Sequence, residues 1–342
     1  MNIAFLGNHW LPHTKERIKN LKLRGNNIYY FSWPIEGEQN QSDIIYLPYK
    51  NSLKWKDLIK YLFPNVLRLR KLIIKHKITI IHIMGITNGI YSLFLFPAKV
   101  VVEHNGSDIL IVPKKIWYYK WYYKLIYLFC NGVIQDSDVS KQAGMKYGAP
   151  VKNNEIIDIG VDFSLFNPKI KEGYVRKKFG LSKNDIIIFQ PRGFREIYNN
   201  EIILNSISIV KKTYPNVKYI FCGYYEQECS FKDNIAKLGI KENVIFIGRL
   251  SRNKELPFYY RDSNIVISIP DSDSSPLSVF EAMACKTPVL LSKLPWLNYK
   301  FNNIKFPYIR KIEVESLAKK TIDIIDNPLI ANVDLLYNIV YQ

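Results

Sequence analysis

Apolar and polar positions alternate along this chain in blocks. Short runs that are apolar throughout are followed by longer stretches in which apolar residues recur every three or four positions. The first kind predicts buried strands and the second amphipathic helices, and their regular alternation predicts parallel α/β sheets. In the first half, strands are predicted over 2–6, 27–32, 77–84, 99–103, 132–135 and 156–159. A helix is predicted over 14–24, with Gly25 placed to end it. The second half restarts the rhythm with strands over 185–190, 217–222, 244–247, 265–269 and 288–291, and helices over 201–213 and 278–285. Each half therefore reads as a doubly wound α/β sheet. The join is expected near Phe166-Asn167-Pro168, ahead of the polar stretch 169–178. The expected domains are 1–165 and 166–326, with a terminal helix over 327–342 that is a candidate to pack back on the first domain. Ligands bind outside the carboxyl ends of the strands in such sheets, so a central cleft between the two domains is the expected site.

Composition adjusts this picture only in places. A chain of 342 residues exceeds one ordinary core, and a hydrophobic share of 48% excludes extensive disorder. The start of the chain shows no leader pattern. No stretch reaches the ~18 uncharged apolar residues of a membrane span. The segment 116–130 comes nearest, but Lys120 and Lys124 interrupt it. Cys130, Cys222, Cys229 and Cys285 form no CxxC pair and read as reduced structural thiols. The formal net charge is +18. It has two readings: a Lys-, Ile-, Asn- and Tyr-rich composition, or attraction to a polyanion such as a membrane surface. Position bears on the choice. Between Lys50 and Lys77 many cations face only Asp57, with apolar residues between them. The run Trp117-Tyr118-Tyr119-Lys120-Trp121-Tyr122-Tyr123-Lys124 mixes rings with cations. Both suit an anionic membrane surface, and both are also compatible with an ordinary helix face carrying long lysines.

The segment from Ser272 to Cys285 is the most informative. It follows a buried strand, and Ser275 and Pro276 can serve as N-cap and first residue of a helix. The free amides of Leu277 and Ser278 would then form a phosphate-binding helix start. Ser274 lies beside them. Asp273 precedes that start and Glu281 follows it. A carboxylate so close to a phosphate needs another task, and accepting hydrogen bonds from sugar hydroxyls is the natural one. The pattern points to a nucleotide-sugar diphosphate. The bland alternative is a surface loop followed by a solvated Glu281.

These residues resemble the acidic pair of glycosyltransferase family 4, the retaining enzymes of GT-B architecture. There the two carboxylates are also eight positions apart and the second opens a Glu-Ala-Met-Ala run, as Glu281-Ala282-Met283-Ala284 does here. Asp273 stands where Glu is usual, and Lys286 where Gly is usual. Gln190-Pro191-Arg192-Gly193-Phe194-Arg195 resembles the loop whose Arg holds the donor diphosphate, a role that maps to Arg192. A Lys that many members carry nearby is missing, and Arg195 is a candidate substitute. Phe246-Ile247-Gly248-Arg249-Leu250 resembles the strand end that meets the nucleotide base, which makes Gly248 and Arg249 candidates. Gly7 and His13-Thr14-Lys15 resemble the first loop and helix, without the usual Gly-Gly pair. His104-Asn105-Gly106-Ser107-Asp108 resembles the loop whose His sits beside the reacting sugar. Ile159-Gly160-Val161-Asp162-Phe163 resembles the link between domains.

The resemblance implies two Rossmann-like domains facing a cleft and transfer of a sugar, with retention, from a nucleotide sugar. UDP is the more frequent donor nucleotide in the family. The expected acceptor is a glycan or lipid-linked molecule in surface polysaccharide or lipopolysaccharide synthesis; the two basic, apolar segments and the reduced thiols add the expectation of a cytoplasmic enzyme, peripheral on the inner face of the cell membrane. His104, Asp273 and Arg192 take the catalytic roles. Glu281 takes the ribose. No metal or cofactor is expected, and Asp271-Ser272-Asp273 is read as a loop with one donor-binding carboxylate. His82 reads as a packed strand residue. Two rivals stay open. A nucleotide-sugar epimerase shares the architecture. A basic, non-catalytic membrane- or nucleic-acid-binding module would explain the charge, although no motif of the usual nucleic-acid folds is present and none is expected as a partner.

Overall fold

The computed structural model describes residues 1–7, 12–33, 44–47, 55–158, 160–223, 228–301 and 307–341. The side chains of His13, of Cys229 and of positions 50–59 lie outside the described residues, as does Ile159. The chain divides into two compact units, Met1–Ile159 and Gly160–Gln342. The segment 160–165 thus falls with the second unit, and so does the terminal helix.

In unit 1 the elements are β1 (Asn2–Leu6), α1 (Pro12–Leu23), β2 (Asn27–Ser32), β3 (Ile45–Tyr46), α2 (Trp55–Lys75) and β4 (Ile80–Met84). A 3-10 segment, Ile86–Phe94, leads to β5 (Lys99–Glu103), α3 (Ser107–Leu110), α4 (Val112–Lys115), α5 (Tyr119–Phe129), β6 (Gly132–Gln135), α6 (Asp138–Lys146) and β7 (Asn154–Ile156). The seven strands are parallel in the order β3-β2-β1-β4-β5-β6-β7. Alternate residues of β1 feed opposite layers. Ala4 and Leu6 join the core made with α2, the 3-10 segment and α5, whereas Phe5 meets Tyr30 and the Ile18 and Leu21 of α1. Both sheet faces are covered, which is why these strands are apolar throughout rather than alternating.

Unit 2 contains α7 (Tyr174–Phe179), β8 (Ile186–Gln190), α8 (Asn200–Thr213), β9 (Val217–Cys222), α9 (Glu228–Lys237), β10 (Val244–Ile247) and α10 (Leu256–Asp262). Then follow β11 (Ile265–Ser268), α11 (Leu277–Ala284), β12 (Val289–Ser292), α12 (Pro295–Lys300), β13 (Tyr308–Ile309), α13 (Val314–Asp326) and α14 (Val333–Tyr341). Its six parallel strands run β10-β9-β8-β11-β12-β13. The central strands β11 and β12 are buried at every position. Ile203, Leu204 and Ile207 of α8 share a core with Leu317, Ala318 and Ile324 of α13. Each such burial contributes about 1.5–3 kcal/mol. Asp262, at the end of α10, accepts the amides of Gly173 and Val175 at 2.6 Å each and so caps α7 from a distance in sequence.

Two expected boundaries move for a local reason. The strand expected from 77 begins at Ile80, because Lys77 has φ 49° and closes α2 in a left-handed turn. The strand expected over 156–159 lies at Asn154–Ile156, directly after the φ 55° of Asn153.

Candidate functional site

Each sheet reverses its strand order once, between β1 and β4 in unit 1 and between β8 and β11 in unit 2. Loops leaving the carboxyl ends of those strands diverge and leave a crevice. In unit 2 these are the loop from Pro191 to Asn199 after β8 and the loop from Ile269 to Pro276 after β11. The sequence-predicted residues Arg192 and Asp273 lie on them, 81 positions apart in the chain, and the fold joins them with a 2.8 Å ion pair.

Arg192 is the hub of this crevice. Its guanidinium also donates to Tyr198 Oη at 3.2 Å, stacks 4.5 Å from that ring, and reaches Ser278 Oγ at 3.5 Å. Arg195, exposed, lies 5.9 Å from the centroid of the same Tyr198 ring. Asn199, in a left-handed turn at φ 53°, donates to Ile269 O and Asp271 Oδ1, both at 2.9 Å, and so ties the two loops together. Asp271 and Asp273 thereby have different partners. Asp273 Oδ1 accepts the Ser274 amide at 2.9 Å, which fixes the carboxylate, and Ser274 is buried.

The start of α11 is one residue later than the sequence suggested. Pro276, with ψ 92°, is the N-cap, and Leu277 is the first helical residue, with no side-chain cap. The reason is that the Pro276 carbonyl is the first acceptor, taking Val279 N at 2.9 Å. Ser275 is half-buried just before it. The amides of Leu277 and Ser278 precede that first bond, as expected for an anion-accepting helix start.

Glu281 sits one turn further on and is only 3% exposed. Arg252 Nε donates to one oxygen at 2.8 Å and Tyr260 Oη to the other at 3.1 Å. Burial pushes its carboxyl above the usual range, while the Arg252 guanidinium and the Tyr260 hydroxyl pull it back. Arg252 itself lies 5.1 Å over the Phe166 ring. Sequence reasoning missed Arg252 and Tyr260. Nothing in Ser251-Arg252-Asn253 separates that arginine from its surface neighbours. Gly248 and Arg249 are exposed at the end of β10, where Phe246 packs against Phe194 and Phe221. Gly223, at φ +119°, is needed here, because a Cβ would stand 2.9 Å from Gly193 Cα.

In unit 1 the described residues at the ends of β1, β4 and β5 surround buried charge. Gly7 follows β1, its amide donates to Phe31 O at 3.1 Å, and a Cβ would meet Met84 Cβ at 2.7 Å. Its amide is therefore already engaged by the fold. Glu103 ends β5 with one oxygen 2.5 Å from Arg17 and 2.7 Å from His82. Burial alone would raise that carboxyl, yet His82 and Arg17 hold it at about 2. His104 is 1% exposed, with Nε2 at 2.9 Å from Tyr127 Oη and its ring against Gly144. Burial lowers it to about 4, against a smaller upward pull from Gln135 and Glu103, so it is neutral near pH 7. The structure thus turns His104 inward, and the exposed side chain of this loop is the next one, Asn105. Asp108 accepts the amides of Ile86 and Asn105 at 2.9 Å each, and burial raises it to about 7 in spite of them.

Comparison with known proteins agrees with this layout in both units. A family model described as glycosyl transferases group 1 matches residues 174–338, and one described as glycosyl transferase 4-like matches residues 2–137. The sucrose-phosphate synthase of Thermosynechococcus elongatus superposes with a TM-score of 0.80 at 15% identity, covering 100% of this chain and 94% of that one. The Anabaena protein HepE, in complex with UDP and glucose, superposes at 0.78 with 17% identity, covering 100% and 94%. The alpha-monoglucosyldiacylglycerol synthase of Streptococcus pneumoniae is 26% identical over 172 residues, 49% of this chain. The match spans 38% of that relative's own length. Two Rossmann-like units with these neighbours define the GT-B fold. The chain belongs to the GT-B glycosyltransferases of the family-4-like type.

Proposed function

We propose that this protein transfers a sugar, with retention of anomeric configuration, from a nucleoside diphosphate sugar to a glycan or lipid-linked acceptor of surface polysaccharide or lipopolysaccharide synthesis. One observation carries the reading: Arg192, oriented by Asp273 and Tyr198, stands beside the uncapped start of α11. A guanidinium and free helix amides together suit a diphosphate leaving group, whose charge grows in the transition state. Asp273 accepts donor-sugar hydroxyls and Glu281 ribose hydroxyls, each exchanging part of its arginine contact for the ligand. Arg195, Gly248 and Arg249 line the nucleotide side. The chemistry needs no metal, since the cations are the protein's own. His104 acts from beneath its loop as a positioning residue.

UDP is favoured over GDP by the family pattern and by the ligand that HepE holds in its solved complex. The diacylglycerol in the name of the streptococcal relative supports a lipid acceptor. No helix among the described residues is long and apolar enough to cross a membrane. A peripheral place on the inner face of the cell membrane fits that acceptor. A thermal-shift screen of UDP- and GDP-sugars tests the reading, because a bound donor stabilises by mass action. A rise with one UDP-sugar, with a glycosidic product of unchanged anomeric configuration by NMR, is expected. A flat screen, or an epimerised sugar nucleotide as the product, overturns it.

A further inference from the structure

The outer surface of one layer of unit 1 is built against the usual rule for a helix facing water. Helices α2 and α5 and the 3-10 segment share the same core on their inner sides, through Leu69, Ile73, Tyr91, Tyr123 and Ile126. Their outer sides should be polar. Instead Trp121, Leu125 and Leu128 follow one another at helical spacing along α5, with Trp121 66% and Leu128 78% exposed, and Trp117, in the turn before the helix, is 73% exposed. Phe63, Leu67 and Ile74 do the same along α2, and Phe96, after the 3-10 segment, is 79% exposed. Scattered exposed apolar residues are ordinary, but stripes on two helices of one layer are not.

The charge on this layer is of one sign. Between Asp57 and Asp136 the only carboxylates in the sequence are Glu103 and Asp108, and both are buried. Exposed cations flank the apolar stripes: Arg68, Arg70, Lys71 and Lys75 on α2, and Lys114, Lys115, Lys120 and Lys124 along α4 and α5. Lys124 lies 4.7 Å over the Trp121 ring, so its stem follows the apolar stripe while its charge stays at the rim. A second copy of this surface would bring like charge against like charge. A single-stranded nucleic acid would use the rings but give Leu125, Leu128 and Leu67 no partner. An anionic bilayer answers both features, with acyl chains for the stripes and headgroups for the cations.

We infer that the α2–α5 layer of unit 1 is a membrane-docking face, which inserts Trp117, Trp121, Leu125 and Leu128 between anionic lipid headgroups. It deepens the proposal above by supplying the partner surface for a lipid-linked acceptor, and rests on it for that purpose alone. The test is sedimentation of the full chain with vesicles of equimolar phosphatidylglycerol and phosphatidylcholine, against pure phosphatidylcholine. Binding to the anionic vesicles alone, weakened by salt and accompanied by a blue shift of tryptophan emission, is expected. Lys120→Glu with Lys124→Glu should lower that binding at least about tenfold, and Trp121→Ser with Leu128→Ser should abolish the blue shift. Equal binding to both vesicle types, no binding, unchanged binding by both variants, or a dimer that the same substitutions dissolve would each overturn the inference. The thermal shift with a UDP-sugar should be the same in both variants as in the parent. If the parent shows no such shift but binds anionic vesicles, the transferase reading fails and the docking face stands.

Discussion

In unit 2 the loops at the point where strand order reverses carry a partly exposed ion pair, Arg192 with Asp273, whose side chains are 18% and 13% exposed. In unit 1 the neighbouring loop, which leaves β5, carries Glu103, His104 and Asp108, all buried, and Asp108 ties it to the segment after β4 by accepting the Ile86 amide. The strand order around that point is the same in both sheets. Shared topology therefore sets where loops converge, and the side chains on them set whether the place can exchange partners with a ligand. A partly solvated pair can give up a contact to a diphosphate at modest cost. Asp108 instead accepts two backbone amides, of Ile86 and Asn105, and its role is to hold the loop in shape.

Five substitutions would break or sharpen this contrast. The largest effect is expected from Arg252→Ala, which leaves Glu281 buried without its cation. A loss of about 3–5 kcal/mol in urea unfolding is expected, and a change below 1 kcal/mol would show that Glu281 is not locked as described. Next is Arg192→Ala. Turnover should fall about 10²–10³-fold with a smaller change in Tm, and full activity would remove Arg192 from the donor site. Gly144→Ala places a Cβ 2.8 Å from His104 Cε1. Overpacking there should cost about 1–3 kcal/mol, seen as a lower Tm, and an unchanged Tm would mean that the His104 ring moves freely.

The smallest effect is a pH slope. His104 is depressed to about 4, so the folded state resists its protonation, and the stability it contributes is complete above pH 6.5 and is lost as pH falls toward 4. Asp108 is raised to about 7, so its contribution has the opposite sign: stability is lost as pH rises from 3.8 toward 7. Each slope reaches at most about 1.4 kcal/mol per pH unit, and in the parent chain they oppose. Asp108→Asn should therefore make the protein lose stability more steeply on acidification from pH 6.5, and His104→Gln should make it gain. Urea midpoints measured across that range decide it, and parallel profiles for all three proteins would refute the opposing pair.

Much of the fold was legible before any coordinates. The strands over 27–32, 99–103, 132–135, 217–222 and 244–247 match residue for residue, because a strand covered on both faces must be apolar throughout and ends where polar loop residues begin. The strands β3 and β13 were missed, since two residues carry no period. The 3-10 segment Ile86–Phe94 was missed as well, for its apolar run has neither helix nor strand spacing. In the site, Asp273 and Glu281 were legible from the strand–loop–helix pattern around them, and Arg192 from the family resemblance of its loop. Arg252 was not, because it is one arginine in a basic chain until Glu281 is brought to it.

The sequence by itself determined two parallel sheets, the loops that follow their strands, and a cationic, apolar band in the first half. Those follow from local patterns, since burial on both faces of a strand and spacing along a helix are written within a few residues. Only the tertiary structure decided that Arg192 meets Asp273 across 81 positions and that Arg252 meets Glu281 across 29. It also decided that His104 turns inward while Asn105 faces out, because which of two neighbouring residues is covered depends on Tyr127 and Gly144, brought there by α5 and α6. Pairings of that kind arise where elements distant in sequence are brought together by the fold, as at the neighbouring ends of β8 and β11, and no local pattern encodes them.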